Sequence, residues 1–427
     1  MRSLRLPTIQ NWACHSCGDC CRDLDVRATP AERERILKFD WAAPAGGKTE
    51  DSIRATPSSF IDKGKDFRLA RRADGACVFL DSNRRCAIHA RFGEKAKPLA
   101  CRLYPFEFTP VGETQVSVSL HYGCPTAARG QGRPIAMQQG DLRSLQKELV
   151  ERDRTIESEV LPPAVSPRER LTWAETLRIT QALDDSLVDD GQTPLAMRLI
   201  RARFIVRLLE QANYAKVRGE RIDDLLEVLR TASSAEVPAT LDDVPLPDRT
   251  AWLELRSLVA HLSRKDTLAK SSQGIRYRLR MFSAGIRFAF GRGRTPVMNP
   301  RLPAVPFAAM EQPTGALAEE VEDVLTRYLR TKIQTLNFAG QGFYAMTLPE
   351  GFSYLSLAFA ATLYVARWIA RANDRPAPTT DDAASALSIV DAHFGRSPVL
   401  VQRHFRARVK SLESREQLDA LLACLAR

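Results

Sequence analysis

The chain has 427 residues, a formal net charge of +11 and 44% hydrophobic residues. This composition excludes a disordered, collagen-like or coiled-coil protein, and the length predicts two or three domains with real cores. Nine cysteines are present, and eight of them fall between residues 14 and 124. Their chemistry must therefore belong to the N-terminal part of the chain.

The compartment decides what clustered cysteines are for. Residues 1–12 contain no apolar run and no small-residue cleavage site, so we expect no signal peptide and a reducing, cytoplasmic location. In such a compartment clustered thiols are metal ligands or catalytic groups more often than disulfides. The longest apolar run, residues 352–366, is shorter than a membrane span needs. It predicts a buried helix, and we expect no transmembrane segment.

Short elements are predicted up to residue 135. Thr29, Pro30 and Glu32 have the pattern of a helix start with a capping box. Residues 77–80 and 85–89 predict a β-hairpin, and residues 106–122 predict a second one with its turn at Val111-Gly112-Glu113.

Apolar residues recur at spacings of three and four after residue 136, which is typical of helices. We therefore predict an α+β protein, with a loop-rich cysteine domain over residues 1–135 and a mainly α-helical domain over residues 136–427. A proline-bearing break near residues 296–313 is the candidate division of the helical part into two subdomains.

The strongest motif is the run Cys14-x-x-Cys17-x-x-Cys20-Cys21. Two-residue spacing lets a turn bring successive thiolates to one point, and Gly18 supplies backbone freedom for it. Cys77, Cys86, Cys101 and Cys124 raise the number of thiols to eight, enough for two four-ligand sites or for one site and a separate set. The array predicts that this segment binds a metal or a cluster.

Iron–sulfur and zinc both remain open. Structural zinc favours two CxxC pairs, whereas three cysteines at two-residue spacing resemble a ferredoxin run, whose remote cysteine precedes a proline as Cys124 precedes Pro125. Cys21 departs from that spacing. We favour an iron–sulfur cluster, of the [4Fe–4S] kind, with zinc as the alternative.

Other polar residues lie near the cysteines. Residues 1–140 carry 22 Lys or Arg and 15 Asp or Glu. Arg22, Arg84, Arg85 and Arg102 each lie one or two positions from a cysteine, where a cation would stabilise a thiolate. His15, His89 and His121 are also close, but eight thiols already suffice as ligands.

These residues carry a family resemblance. The motifs CHSCGDCC, TPAERERI, GACVFL, RRCAIH, KPLACRLYPFEF and HYGC occur in order, and over residues 11–125 the chain resembles the YkgJ-type cysteine-cluster family, the zinc- or iron-chelating CxxCxxCC domain. The resemblance implies that the metal or cofactor ligands are Cys14, Cys17, Cys20, Cys21, Cys77, Cys86, Cys101 and Cys124.

One branch of that family is the flagellin lysine N-methylases (FliB-like), and the run VEDVLTRYLRTKIQTLNF is similar to their C-terminal region. This second resemblance implies a protein-lysine N-methyltransferase with S-adenosylmethionine as cofactor and flagellin as protein substrate. No Rossmann glycine pattern, Walker A motif or catalytic signature accompanies it. The catalytic residues of such an enzyme stay unknown.

A basic segment, residues 270–301, contains eight Lys or Arg and no acid, interleaved with aromatic residues. Such a segment can bind an acidic partner or a nucleic-acid backbone. We favour an amphipathic helix with a solvated basic face, because no nucleic-acid-binding motif accompanies it. Nucleic acid is therefore not the expected partner.

Overall fold

The computed structural model describes residues 1–153, 158–264 and 274–427. The predicted α+β class is confirmed, because the named strands end by residue 134 and long helices follow. The strands are β1 Ser3–Arg5, β2 Asn11–Trp12, β3 Arg27–Ala28, β4 Phe60–Asp62, β5 Phe67–Leu69, β6 Phe106–Val111, β7 Gln115–Leu120 and β8 Arg133–Pro134.

The helices are short in the first part of the chain and long in the second. They are α1 Cys20–Asp23, α2 Pro30–Leu37, α3 Ala87–Phe92, α4 Leu99–Leu103, α5 Pro125–Arg129, α6 Gln139–Arg152, α7 Trp173–Asp185, α8 Leu195–Gln211, α9 Arg221–Glu236, α10 Arg249–Leu262, α11 Ile275–Phe290, α12 Phe307–Glu311, α13 Glu319–Gln334, α14 Leu348–Ala372, α15 Thr380–Asp391, α16 Arg403–Ser414 and α17 Gln417–Ala426.

A small apolar core lies within the cysteine-rich part. The antiparallel sheet β3-β5-β4 packs with α2 and α3 around Phe79, Trp41 and Ile88. Cys77, Cys86 and Cys101 are partly buried against this core. The small core therefore positions three of the eight predicted ligands.

The second hairpin belongs to a different core. β6 pairs antiparallel with β7, as expected for the predicted hairpin. β1 pairs parallel with β7 on the other side of that strand. Val118, Leu120 and Cys124 are buried in one continuous apolar cluster with the helices that follow. The two cores thus meet along the cysteine-rich part, and the predicted domain boundary near residue 135 stays a prediction.

Helix α14 is the centre of the helical part. It runs for 25 residues and is long and apolar enough to cross a membrane by length and composition, yet 89% of its most apolar window is buried inside the fold. Its buried Arg367 donates to the backbone oxygens of Gln312, Leu425 and Arg427 at 2.9, 2.9 and 2.8 Å. A guanidinium at the carboxyl end of α17 satisfies carbonyl groups that the helix leaves unpaired.

One local prediction needs correction. Residues 85–89 do not form a strand: Leu80 and Cys86 make an isolated bridge, and helix α3 starts at Ala87. Ala87 and Ile88 are both buried in the small core, which a strand with alternating faces could not achieve there. In the basic segment α11 is helical and its four arginines are exposed, as predicted, and exposed apolar side chains lie between them. Lys270, where that segment begins, lies outside the described residues.

Candidate metal centre

All eight clustered cysteines line one cavity of about 90 Å³. A site needs only about 10–15 Å³ of such space to hold one water molecule, so the cavity has room for a group of several atoms. The thiols are free, and Cys14 is the exposed one. The ninth cysteine, Cys424, lies on α17, outside this cavity.

The N-terminal cysteine run is held in place by a tight contact. Gly18 has a φ of +74°, and a Cβ there would stand 3.1 Å from the backbone oxygen of Arg84. Directly after this turn α1 begins at Cys20, and the backbone N–H of Cys77 donates to the oxygen of Cys21 at 2.8 Å. Glycine at position 18 therefore lets the run lie against the segment that carries Cys77.

Backbone N–H groups are directed at two of the thiols. Cys86 and Cys124 each immediately precede a short helix, α3 and α5. The N–H groups of Ile88 and His89 hydrogen-bond to the sulfur of Cys86, and those of Thr126 and Ala127 to the sulfur of Cys124. Hydrogen bonds of this kind stabilise a thiolate and tune a cluster bound to it.

Burial opposes free thiolates in this cavity. Desolvation raises the pKa of Cys77 to about 11 and that of Cys101 well above its usual value. For Cys20 the hydrogen bond with Cys21 raises the pKa most, and desolvation adds to the increase. These thiols therefore stay protonated at neutral pH until a cation compensates the charge.

Four thiols form a mutually interacting set. Burial raises the pKa of Cys77, Cys86 and Cys101, and neighbouring thiols raise it further. Cys20 is one of these neighbours for all three. Cys77 also raises the pKa of Cys101, and Cys86 raises the pKa of both Cys77 and Cys101. Cys20 also raises the pKa of Cys17 and Cys124, and Cys124 raises the pKa of Cys17.

Lys97 is the buried cation that lines the cavity, which the exposed Arg84 also lines, and sequence reasoning missed Lys97. Its residue is only 9% exposed, it lines the cavity, and its ammonium lowers the pKa of Cys20, Cys86 and Cys101. Burial alone would lower the pKa of Lys97. Glu94 and the surrounding thiols outweigh this effect, so the pKa of Lys97 lies above its usual value. The sequence signal was its place in the KPLACRLYP motif, four residues before Cys101.

The arginines predicted to lie beside the thiols have carboxylate partners, and one of them, Arg84, also lines the cavity. Arg22 pairs with Asp74 at 3.6 Å, Arg85 with Asp81 at 3.3 Å, and Arg84 with Asp19. Arg102 makes a bidentate pair with Glu148 of α6 at 2.6 and 2.7 Å. These contacts tie the cysteine loops to their surroundings, and Arg102 joins the Cys101 helix to the helical part.

Two of the three nearby histidines line the cavity, His15 and His89. The third, His121, is buried and contacts the carboxylate of Asp391 through Nδ1 at 3.1 Å. Its ring also lies edge-on to Tyr104, which lines the cavity. His121 therefore connects the cavity wall to helix α15.

Within the described ranges, no three Cys, His, Asp or Glu side chains are grouped so that they could hold a metal ion as they stand. A single zinc ion held by cysteines alone needs four sulfurs at about 2.3 Å. The chemistry of the side chains suits a bound metal or cluster. The candidate ligands are thiols, backbone N–H groups hydrogen-bond to some of their sulfurs, and a buried cation lies beside them. The cavity is wider than a one-ion site.

The site has the composition of a metal-chelating domain built on cysteine. Residues 13–125 match the family model CxxCxxCC, described as a putative zinc- or iron-chelating domain. The match supports metal binding by this segment, and it includes all eight predicted ligands. Comparisons with curated proteins and with solved structures find no match. The resemblance to flagellin lysine N-methylases rests on residues beyond this segment and stays a prediction.

Proposed function

We propose that residues 13–125 hold an iron–sulfur cluster, of the [4Fe–4S] kind, in the cysteine cavity. The observation that carries the proposal is the convergence of all eight thiols on a single cavity of about 90 Å³. A cluster of several iron and sulfide atoms uses that space better than one zinc ion. When bound, such a cluster with four cysteine ligands supplies one-electron chemistry.

The first ligand set in this proposal is Cys20, Cys77, Cys86 and Cys101. What supports it is that each of these thiols is an electrostatic neighbour of the other three. Four thiolates around a cluster core leave a net negative charge, and the buried Lys97 offsets part of it. The second set is Cys14, Cys17, Cys21 and Cys124.

Purification without oxygen, followed by iron, zinc and acid-labile sulfide analysis, tests the proposal. We expect iron and sulfide in equal amounts and a broad visible absorption that bleaches on reduction. Stoichiometric zinc without sulfide would overturn the cluster and leave metal binding intact. Protein with neither metal would overturn both.

Serine variants test the ligand sets. Cys86→Ser and Cys101→Ser should remove the visible absorption, whereas Cys14→Ser should keep it. Cys424→Ser is the matched control, because this cysteine is also buried but lies on α17 outside the cavity. Loss of the absorption in the Cys14 variant together with its retention in the Cys101 variant would contradict the first set.

The cytoplasm is the location that goes with this proposal, because thiols there stay reduced and available to a cluster. Cell fractionation with detection of the native chain checks it. Recovery of the protein from an oxidising compartment, with its cysteines in disulfides, would contradict this part.

A further inference from the structure

Helix α11 is anchored to the body by one narrow face. Ala284 and Phe288 are its buried residues. The ring of Phe288 stands 5.3 Å from that of Phe307 and 5.8 Å from that of Trp368. The helix therefore has a defined orientation, with the opposite side directed away from the protein.

The opposite side carries a continuous apolar stripe. Its five residues follow one another at spacings of four, three, four and four, which places them on one helix face. All are large and exposed: Ile275 75%, Leu279 61%, Phe282 69%, Ile286 42% and Phe290 70%. Soluble surfaces rarely expose a contiguous apolar patch of this kind without a partner for it.

Arginines flank the stripe on both sides. At 100° per residue, Arg276, Arg280 and Arg287 lie along one edge, and Arg278 lies along the other. Residues 274–310 contain no Asp or Glu. Apolar side chains with guanidinium groups at their edges match the boundary between acyl chains and anionic headgroups.

We propose that α11 is an interfacial helix that seats this protein on an anionic lipid surface. The five apolar side chains enter the acyl boundary, and the arginines contact the headgroup phosphates. A second copy of the chain is a poorer occupant, because a two-fold contact through this face would bring its arginines together. An acidic polypeptide would satisfy the arginines and leave the apolar stripe in water.

Flotation of the full-length protein with vesicles tests the apolar stripe. We expect binding to mixed phosphatidylcholine and phosphatidylglycerol vesicles and little binding to phosphatidylcholine alone. Leu279→Ser with Phe282→Ser should lower the partition coefficient by about tenfold or more. The matched control is Leu246→Ser with Val228→Ser, two apolar residues that are 70% and 64% exposed elsewhere. The control should bind as the unmodified protein does.

A second pair of variants tests the arginines. Arg276→Gln with Arg287→Gln should weaken binding about thirtyfold, since each basic residue near an anionic surface contributes about fivefold. Arg143→Gln with Arg249→Gln removes two exposed cations elsewhere and serves as the control. Arg280 is left unchanged because its guanidinium donates to the Val297 oxygen at 3.1 Å. Added salt should weaken binding of the unmodified protein.

All these residues are exposed, so the variants should keep the melting temperature and metal content of the unmodified protein. The proposal is overturned by absence of vesicle binding or by equal loss in variant and control. If the protein does not bind vesicles and the α11 variants abolish self-association, the occupant is a second copy of the chain and the proposal is overturned. If they abolish binding to an acidic polypeptide instead, that polypeptide is the occupant and the proposal is likewise overturned.

Discussion

Asp391 joins the helical part to the strand end that leads to Cys124. Its carboxylate is fully buried and accepts from the backbone N–H of Tyr122 at 2.6 Å and from Tyr328 Oη at 3.2 Å. His121 Nδ1 lies 3.1 Å away and must carry its proton, because an ionised carboxylate only accepts. Lys332 Nζ, at 3.5 Å, completes the surroundings. Asp391→Asn should therefore destabilise the whole protein.

The magnitude follows from the pKa of this carboxyl. Burial would raise it, but Lys332 and His121 bring the pKa of Asp391 down to about 2. Against about 3.9 in an unfolded chain, the difference corresponds to about 2–3 kcal/mol of folding free energy at neutral pH. Because the folded pKa lies below the unfolded one, this contribution is complete above about pH 5 and is lost as the pH falls to about 2.

Denaturant unfolding of the metal-free and metal-loaded protein is the assay. Asp391→Asn should cost about 2–3 kcal/mol at pH 7, and the difference from the unmodified protein should shrink towards pH 2. Asp381→Asn, on the same helix, is the control: its side chain is 81% exposed and pairs with Arg129 at 3.1 Å. The control should cost less than about 1 kcal/mol. The reasoning would be refuted if Asp391→Asn lowered the unfolding free energy as little as the control does. It would also be refuted if the loss were the same at pH 2 as at pH 7.

Three further outcomes are expected. Lys97→Gln should weaken metal retention about tenfold to a hundredfold in competition with a chelator. Lys95→Gln, at an exposed position two residues away, should leave metal retention unchanged. Equal retention in the two variants would exclude a role for the buried cation. Gly18→Ala should cost about 1–3 kcal/mol in denaturant unfolding and lower metal content, since alanine is strained at a φ of +74°; an unchanged unfolding midpoint would contradict this. Arg367→Met should cost more than about 3 kcal/mol, measured in the same way, because several buried carbonyls lose their donor; a loss below about 1 kcal/mol would refute it.

Local sequence chemistry predicted those elements whose stability is local. The Thr29 side chain accepts from the Glu32 N–H at 3.2 Å, and the Glu32 carboxylate accepts from the Thr29 N–H at 2.8 Å, as the capping box requires. Alternation over residues 115–120 predicted β7, which pairs with β6 in full register. In both places neighbouring residues supply most of the interactions.

Failures occurred where a distant residue decides the outcome. The short β-like run at residues 85–89 predicted a strand, but Ala87 and Ile88 are both buried in the small core. Arg22 and Arg85 lie beside cysteines in sequence, yet the carboxylates of Asp74 and Asp81 are their partners, and neither arginine lines the cavity. Sequence proximity gave no information about which cation the fold would bury.

The position of the cavity between two cores gives the two proposed ligand sets different consequences. Cys77, Cys86 and Cys101 pack against the small core, so a cluster on the first set stabilises mainly that core and the N-terminal run. Cys124 is buried in the large core, and Cys17 belongs to the N-terminal run. Metal on the second set would therefore join the large core to the cysteine loops, through the segment that Asp391 already holds. The Asp391 variant should consequently affect the second set more than the first.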